Sequence, residues 1–409
     1  MEADPVKESS YDFKSTDLQV EAIRSVGAKV FYRLGYSWGG PSDVPADYGK
    51  FAEICKHIVM HYNDGWANGF RYGIRYWEIW NEPDIKIFWK GTPEQYFKLY
   101  ENTANAIKTL DQSLKVGGPA LAGNRAFLTN FLRFCKTSNS PIDFVSWHIY
   151  TQGKAPNLVP EAAREIQGLM KQYGFEKAEN ILSEWNIYAD SADHDEFWNA
   201  RGAAWTTSVL IYLQDTPVTV SLRYRGNGGE RGGRGFGLFY NNGEFKKTAY
   251  SFLAMKHMLE TPLRPASNAS NDLGFCTLAG MSEEGNLVRI LVSDYDSTCS
   301  GLVLTVKNVP WQSRAVRLEV HLIDAKSNLT LVDKSEQTRV EPITVSRQMV
   351  PSSVYLITLR PGEERVQTTT TTQKEQGGRF ISLAIGSVAL IAITVTVLVI
   401  LRKIRLNRP

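Results

Sequence analysis

From its start to about residue 255 the chain alternates short β-rich runs with helix-like stretches, and this alternation constrains the fold more than any other feature. The strand candidates are Lys29–Gly35, Arg75–Pro83, Leu114–Ala120, Phe144–Tyr150, Asn180–Asn186 and Thr219–Arg225. The clearest helix opens at Thr92-Pro-Glu-Gln95, where Thr92 suits an N-cap, Pro93 the first helical position and Gln95 the return bond of a capping box. Apolar residues then recur at Tyr96, Leu99, Tyr100, Ile107 and Leu110, one helical face. Repeated βα units imply a parallel sheet or barrel, in which groups at the C-terminal strand ends converge on one pocket.

Near Arg264 the helical period stops. Short alternating strands follow at Leu287–Val292, Leu302–Val306, Arg317–Ile323 and Val354–Leu359, the pattern of a small β-sandwich. The expected organisation is an α/β barrel domain over 1–262, a β-sandwich over 263–362 and a Thr-rich linker over 363–379. A transmembrane helix over 380–401 and a basic tail over 402–409 follow. The span from Phe380 to Leu401 carries no charge, and its length suits a ~30 Å hydrocarbon core. Arg402, Lys403, Arg405 and Arg408 follow it, so the positive-inside bias puts the tail in the cytoplasm and the bulk of the chain outside or in a lumen, with the lipid bilayer as a partner. The sequons Asn268-Ala-Ser270 and Asn328-Leu-Thr330, and Thr368 to Thr372 as an O-glycosylated stalk, fit that side. The polar N-terminus has no apolar core of a signal peptide.

Net charge is +3, part of it in the tail, and no basic stripe with interleaved aromatics is present, which argues against nucleic acid. Aromatic residues make up 11%, which suits stacking on sugar rings and equally suits a core. The four cysteines lack metal-ligand spacing. Cys276 and Cys299 form either a disulfide or two buried thiols, whereas Cys55 and Cys135 read as packing residues. No metal or organic cofactor is expected.

Two glutamates end strands inside aromatic, amide-bearing frames: Glu82 in Trp77-Glu-Ile-Trp-Asn-Glu-Pro83, and Glu184 in Ile181-Leu-Ser-Glu-Trp-Asn186. Carboxyl groups about 5–5.5 Å apart at such a site can split a glycosidic bond with retention, one protonating the leaving oxygen and the other attacking the anomeric carbon. The acid needs a raised pKa, which packing against Trp77, Trp80 or Trp185 would provide. Asn81 is placed to bond a sugar 2-hydroxyl. Glu78 lies deeper and reads as a solvated or ion-paired carboxylate.

Tyr76-Trp-Glu-Ile-Trp-Asn-Glu-Pro-Asp84 resembles the acid/base motif of glycoside hydrolase family 39, within the retaining (β/α)8 clan. The frame from His61-Tyr62 through Asn68-Gly69-Phe70 to Trp89-Lys-Gly-Thr-Pro93 narrows the resemblance to the family of β-xylosidases and α-L-iduronidase. Ser183-Glu-Trp-Asn186 is similar to the family's nucleophile segment. The resemblance implies Glu82 as acid/base and Glu184 as nucleophile. It also implies a sugar pocket at the barrel's C-terminal face, to which Asn81, Trp185 and Arg33 are assigned. Trp147-His148-Ile-Tyr150 matches the strand where a His or Tyr contacts the nucleophile, so His148 and Tyr150 join the substrate-binding set. Phe236-Gly-Leu-Phe-Tyr240 with Lys246-Lys-Thr-Ala-Tyr250 resembles the last strand-to-helix return.

Two features depart from the family pattern. Ser221-Leu-Arg-Tyr-Arg225 replaces the aromatic and acidic segment of the xylosidases, with Arg223 and Tyr224 as pocket candidates and Arg225 and Arg231 as loop charges. An arginine there would favour an acidic sugar. The strand count also falls short. Glu82 stands on the second strand rather than the clan's fourth, so a barrel lacking its first two strands is expected, with open edges. The expected activity is retaining hydrolysis of a carbohydrate or glycoside. The rival reading is a membrane-anchored carbohydrate-binding protein with an inactive or truncated fold.

Overall fold

The computed structural model describes residues 4–362 except 36–41, 191–193, 229–234, 269, 272, 297–299, 312, 314 and 340, together with the backbone of 392–398. Two compact units are formed: residues 1–150, 159–186 and 216–224, and residues 151–158, 187–215 and 225–409.

The first unit is built on a six-stranded parallel sheet, β1 (Phe31–Leu34), β2 (Tyr76–Ile79), β3 (Lys115–Leu121), β4 (Phe144–Tyr150), β5 (Glu179–Asn186) and β6 (Val218–Arg223), in sequential order. Helices α1 (Lys14–Ser25), α2 (Tyr48–Asn63), α3 (Pro93–Leu110), α4 (Arg125–Ser138) and α5 (Leu158–Gln172) alternate with the first five strands. Capping chemistry sets the helix starts. At α3 the full box forms: Gln95 N–H donates to Thr92 Oγ1 at 3.3 Å, and Thr92 N–H to Gln95 Oε1 at 2.8 Å. Asp47 and Asn124 cap α2 and α4 by a single bond each, accepting from Lys50 N–H and Phe127 N–H.

The sheet curls like a barrel wall. Neighbouring strands lie about 4.8 Å apart, so in a flat sheet β1 and β4 would be roughly 14 Å from each other. Yet the Phe31 and Phe144 ring centroids are 5.4 Å apart, and Arg33 on β1 reaches Glu184 on β5 at 3.6 Å. Phe31, Tyr76 and Phe144 form an aromatic layer inside the curl, closed by Tyr76 Oη donating to Glu179 at 3.0 Å. Among the described residues β1 and β6 are the sheet's edges, and most of their side chains are half-buried, unlike those of β3–β5.

The second unit holds α6 (Ala200–Leu213), α7 (Lys247–His257) and two sheets. Its strands are β7 (Ala266–Ser267), β8 (Phe275–Met281), β9 (Val288–Asp294), β10 (Gly301–Lys307), β11 (Ala315–Ile323), β12 (Asn328–Thr338), β13 (Ile343–Gln348), β14 (Ser353–Pro361) and β15 (Ala392–Leu398). The sheet β12-β11-β14-β9-β8 and strands of β13-β10-β15-β7 enclose one apolar core, with Val292, Leu304, Val320, Val345 and Ile357 among its buried side chains. α6 is buried along almost its whole length and bonds to the sheets through Ser208 Oγ, which donates to Gly274 O at 2.8 Å. Cys276 is a buried free thiol, as are Cys55 and Cys135, while Cys299 lies outside the described residues.

The expected transmembrane helix is corrected where it can be seen. Residues 392–398 form strand β15, paired parallel with β10 from Gly301↔Ala392 to Lys307↔Leu398. The stretch Ile393-Thr-Val-Thr-Val397 is almost wholly β-branched, which favours a pleated conformation, and it pairs a backbone edge that β10 would otherwise leave open. Among the described residues no helix is long and apolar enough to cross a membrane. The rest of 380–401, the Thr-rich linker, the basic tail and Arg231 lie outside the described residues.

Candidate active site

Glu82 stands just beyond β2. The chain reaches it through two residues with positive φ, Trp80 at 69° and Glu82 itself at 45°, a conformation costly for side chains other than glycine. The turn is held by main-chain bonds, Trp80 N–H to Leu34 O at 2.8 Å and Glu82 N–H to Ala120 O at 3.1 Å. Asp84 fastens it from the other side. Its carboxylate accepts from Ala122 N–H at 2.9 Å, Gly123 N–H at 3.1 Å and Asn124 N–H at 3.0 Å, tying the Glu82 loop to the entry of α4. Sequence reasoning left Asp84 without a task, although an Asp two residues after a candidate catalytic Glu is a usable signal for such a brace.

Glu184 is aimed by an irregularity in β5. Trp147 pairs with Leu182 but His148 pairs with Glu184, so Ser183 is an inserted residue, a β-bulge. The bulge places Glu184 in register with His148 although it lies an odd number of residues from Glu179, the partner of Phe144. Nothing in the sequence of 179–186 announces it.

The two carboxylates meet. Ligand atoms of Glu82, His148 and Glu184 all lie within 4.8 Å of one another. His148 Nδ1 is 2.6 Å from Glu82 Oε1 and 4.0 Å from Glu184 Oε1. Tyr150 Oη donates a short hydrogen bond to Glu184 Oε1. The residue that bonds Glu184 from β4 is therefore Tyr150, while His148 serves Glu82. Burial, and then the charge of Glu184, push the Tyr150 phenol well up, so it stays a donor.

Arg33 lies beneath this group. Its Nε donates to Glu78 Oε2 at 2.6 Å, one Nη faces His148 Nε2 at 3.2 Å and the other lies 3.6 Å from Glu184 Oε2. Burial alone would push this guanidinium down, but Glu78 and Glu184 hold it above its ordinary value. Burial likewise opposes the charge of Glu78, yet the Arg33 guanidinium holds that carboxyl below the usual range. Glu78 is fully buried and ion-paired.

Asn81 is buried beside Glu82, and its Oδ1 has no hydrogen-bond partner among the described residues, which leaves the amide available to a ligand hydroxyl. Trp185 is fully buried and pairs in register with Arg223, whose guanidinium lies 5.4 Å from the indole centroid. Arg223 also donates to Asn186 Oδ1 at 2.9 Å, and burial pushes its guanidinium down to about 9. Tyr224 is joined to β5 through its main chain, its N–H donating to Trp185 O at 3.1 Å and its O accepting from Asn186 Nδ2 at 2.6 Å. Trp185, Arg223 and Tyr224 thus brace the strand that carries Glu184. Trp77 and Trp80 are taken up by packing on the helix side: Trp77 lies 5.2 Å from Tyr32, and Trp80 lies 5.9 Å from Phe51 of α2 and 5.2 Å from Trp89.

Glu82, His148 and Glu184 also offer the donor atoms of a cation site. Arg33 already supplies positive charge there, against both His148 and Glu184, so the residues fit a charge-balanced carboxylate pair better than a metal centre.

Comparison with known proteins agrees with this geometry. The family described as Glycosyl hydrolases family 39 matches residues 21–199, which include both glutamates. A β-xylosidase of Geobacillus stearothermophilus is 37% identical over 177 residues, covering 38% of this chain and 34% of the relative. A β-xylosidase of Caldicellulosiruptor saccharolyticus is 34% identical over 240 residues, covering 51% of this chain and 47% of the relative. The matches thus span a third to a half of these relatives' own length. The crystal structure of a glucosidase from Croceicoccus marinus superposes with a TM-score of 0.78 at 28% identity, covering 88% of this chain and 84% of that one. With paired carboxylates at the ends of parallel strands and this likeness on both sides of them, residues 21–199 of the chain match glycosyl hydrolase family 39.

Proposed function

We propose that this protein hydrolyses O-glycosidic bonds with retention, and that β-xylosides are its first substrate class. One observation carries the mechanism: carboxylate oxygens of Glu82 and Glu184 within 4.8 Å of each other, too close to admit the water an inverting enzyme places between its carboxyl groups. Glu184 attacks the anomeric carbon while Glu82 gives its proton to the departing oxygen. Glu82 then takes a proton from water as that water displaces Glu184 from the sugar. Tyr150 and Arg33 hold the two oxygens of Glu184, which fixes the line of attack. The xyloside assignment is supported by the β-xylosidases among the relatives, and the glucosidase among the solved structures makes β-glucosides the comparison substrate.

The test uses the full chain with aryl β-xyloside, β-glucoside, α-arabinofuranoside and α-iduronide substrates, followed by a 2-fluoro activated glycoside. The expected results are turnover of the β-xyloside and a mass increase of one fluorosugar on the peptide containing Glu184. Glu184→Ala should abolish turnover, whereas Glu82→Ala should spare substrates with good leaving groups. Binding of oligosaccharide without turnover or trapping would refute hydrolysis and leave a carbohydrate-binding protein.

Attachment to a membrane is a separate proposal. It is supported by the uncharged run 380–401 and the basic residues after it. Flotation of the full chain with liposomes, compared with a chain ending at residue 379, decides it, and equal recovery of both in the soluble fraction would refute it.

A further inference from the structure

Glu78 is fully buried on β2, four residues before Glu82, and hydrolysis as described gives it no task. Burial disfavours an ionised carboxylate, so one retained there needs a reason. Its Oε2 receives Arg33 Nε at 2.6 Å, and the same guanidinium presents an Nη to His148 Nε2 at 3.2 Å. A guanidinium can only donate, so Nε2 must accept with its lone pair. A neutral imidazole that accepts at Nε2 carries its proton on Nδ1, and Nδ1 lies 2.6 Å from Glu82 Oε1. Oε1 is then already engaged as an acceptor, and the acid's own proton belongs on Oε2.

We propose that Glu78 is a positioning residue. By anchoring Arg33 it fixes the tautomer of His148, and through that bond it selects the oxygen of Glu82 that carries the transferable proton. The last step rests on the hydrolytic reading; the tautomer does not. In the reaction the proton leaves Glu82 Oε2 for the departing oxygen, which keeps the electron pair of the broken C–O bond. In the second half a water proton returns to Oε2 as the water oxygen bonds the anomeric carbon and Glu184 departs with its electron pair. The His148 proton stays on Nδ1 throughout. The charged and titratable groups around Glu78 are Arg33 from β1, His148 from β4, Glu184 from β5, Tyr96 from α3 and Glu82 beyond the end of its own strand.

The test is a side-chain nitrogen–proton correlation spectrum of the full chain with labelled histidine at pH 7, with His148 assigned from the signals that vanish in His148→Gln. The expected wild-type ring is protonated at Nδ1 only. In Glu78→Gln the guanidinium loses its main partner, and the form protonated at Nε2 appears. With aryl glycosides, Glu78→Gln should lower kcat on a phenyl leaving group at least tenfold more than on a dinitrophenyl one, with KM little changed, because only the poor leaving group needs the proton. A defect that merely loosened the fold would slow both alike. If Glu78→Gln fails to fold, Arg33→Lys tests the same link, because it keeps the charge and loses the fork. A wild-type His148 protonated at Nε2 or at both nitrogens overturns the proposal without any variant, and so does a wild-type tautomer in Glu78→Gln. The expected tautomer with no glycoside cleaved would support the Glu78–Arg33–His148 link and refute the hydrolytic reading with its last step.

Discussion

Asp84 gives the sharpest test of how the site is held, because its three bonds can be weighed one by one. The bond to Ala122 N–H at 2.9 Å is partly buried, and those to Gly123 and Asn124 at 3.1 and 3.0 Å are exposed. A charge-assisted bond shielded from water contributes about 1.5 kcal/mol, and an exposed one about 0.5 kcal/mol because water replaces it. Asp84→Ala should therefore cost about 2–3 kcal/mol, which lowers the unfolding midpoint by roughly 5 °C or more for a domain of this size. Asp84→Asn should cost nearly as much, since an amide has one acceptor oxygen for three donors and turns its own N–H groups against them. The catalytic effect comes from the same bonds. They brace a turn in which Glu82 sits at a φ of 45°, and a strained turn relaxes once its brace is removed. A displacement approaching 1 Å at Glu82 costs up to about a hundredfold in rate, so kcat/KM should fall between ten- and a hundredfold. The assays are thermal unfolding and aryl glycoside kinetics on the same preparations. Wild-type stability and wild-type kcat/KM in both variants would refute the argument that Asp84 braces the acid/base loop.

Other parts of the structure respond to perturbation in the same way. Deleting Ser183 removes the bulge but keeps Leu182 opposite Trp147 and Glu184 opposite His148, so the carboxylate should stay on the same face of β5 and activity should fall far less than in Glu184→Ala; a loss as complete as in Glu184→Ala would refute the register argument. Glu78 is held below the usual carboxylate range in the folded state, so its contribution to stability is present above the unfolded pKa of about 4.3 and is lost as pH falls through the lower folded value. Urea titrations between pH 6 and 2 should accordingly show a shallower acid loss in Glu78→Gln than in wild type. Burial raises the thiols of Cys55 and Cys135 strongly and pushes that of Cys276 up to about 12, so none of the three should react with a thiol reagent at pH 8 until denaturant is added.

The parts of this molecule that could be read in its sequence are those where one residue type answers to one local requirement. Thr92, Pro93 and Gln95 satisfy the free N–H groups of a helix start, and no distant contact is needed to recognise them. Apolar runs bounded by turn residues placed all six parallel strands within a few residues of their observed limits. One strand that escaped notice lacks that local signature. β12, Asn328–Thr338, is polar and mostly exposed, and exists because β11 offers it a partner. β15 shows the converse ambiguity: an apolar run satisfies the length rule for a bilayer helix, while its β-branched residues equally suit an open sheet edge, and hydropathy does not distinguish the two. Within the site, Glu82 and Glu184 were legible because strand ends in a parallel sheet converge. The relation between them was not, for it depends on a one-residue bulge at Ser183 and a positive φ at Glu82, neither of which changes composition or period. The Arg33–Glu78 pair was hidden for a third reason. Its partners are 45 residues apart and meet only through the β1–β2 register, Arg33↔Glu78, which pairing of the whole sheet sets. What can be read locally names the candidate carboxylates, and what cannot be read locally decides which partner each of their oxygens meets.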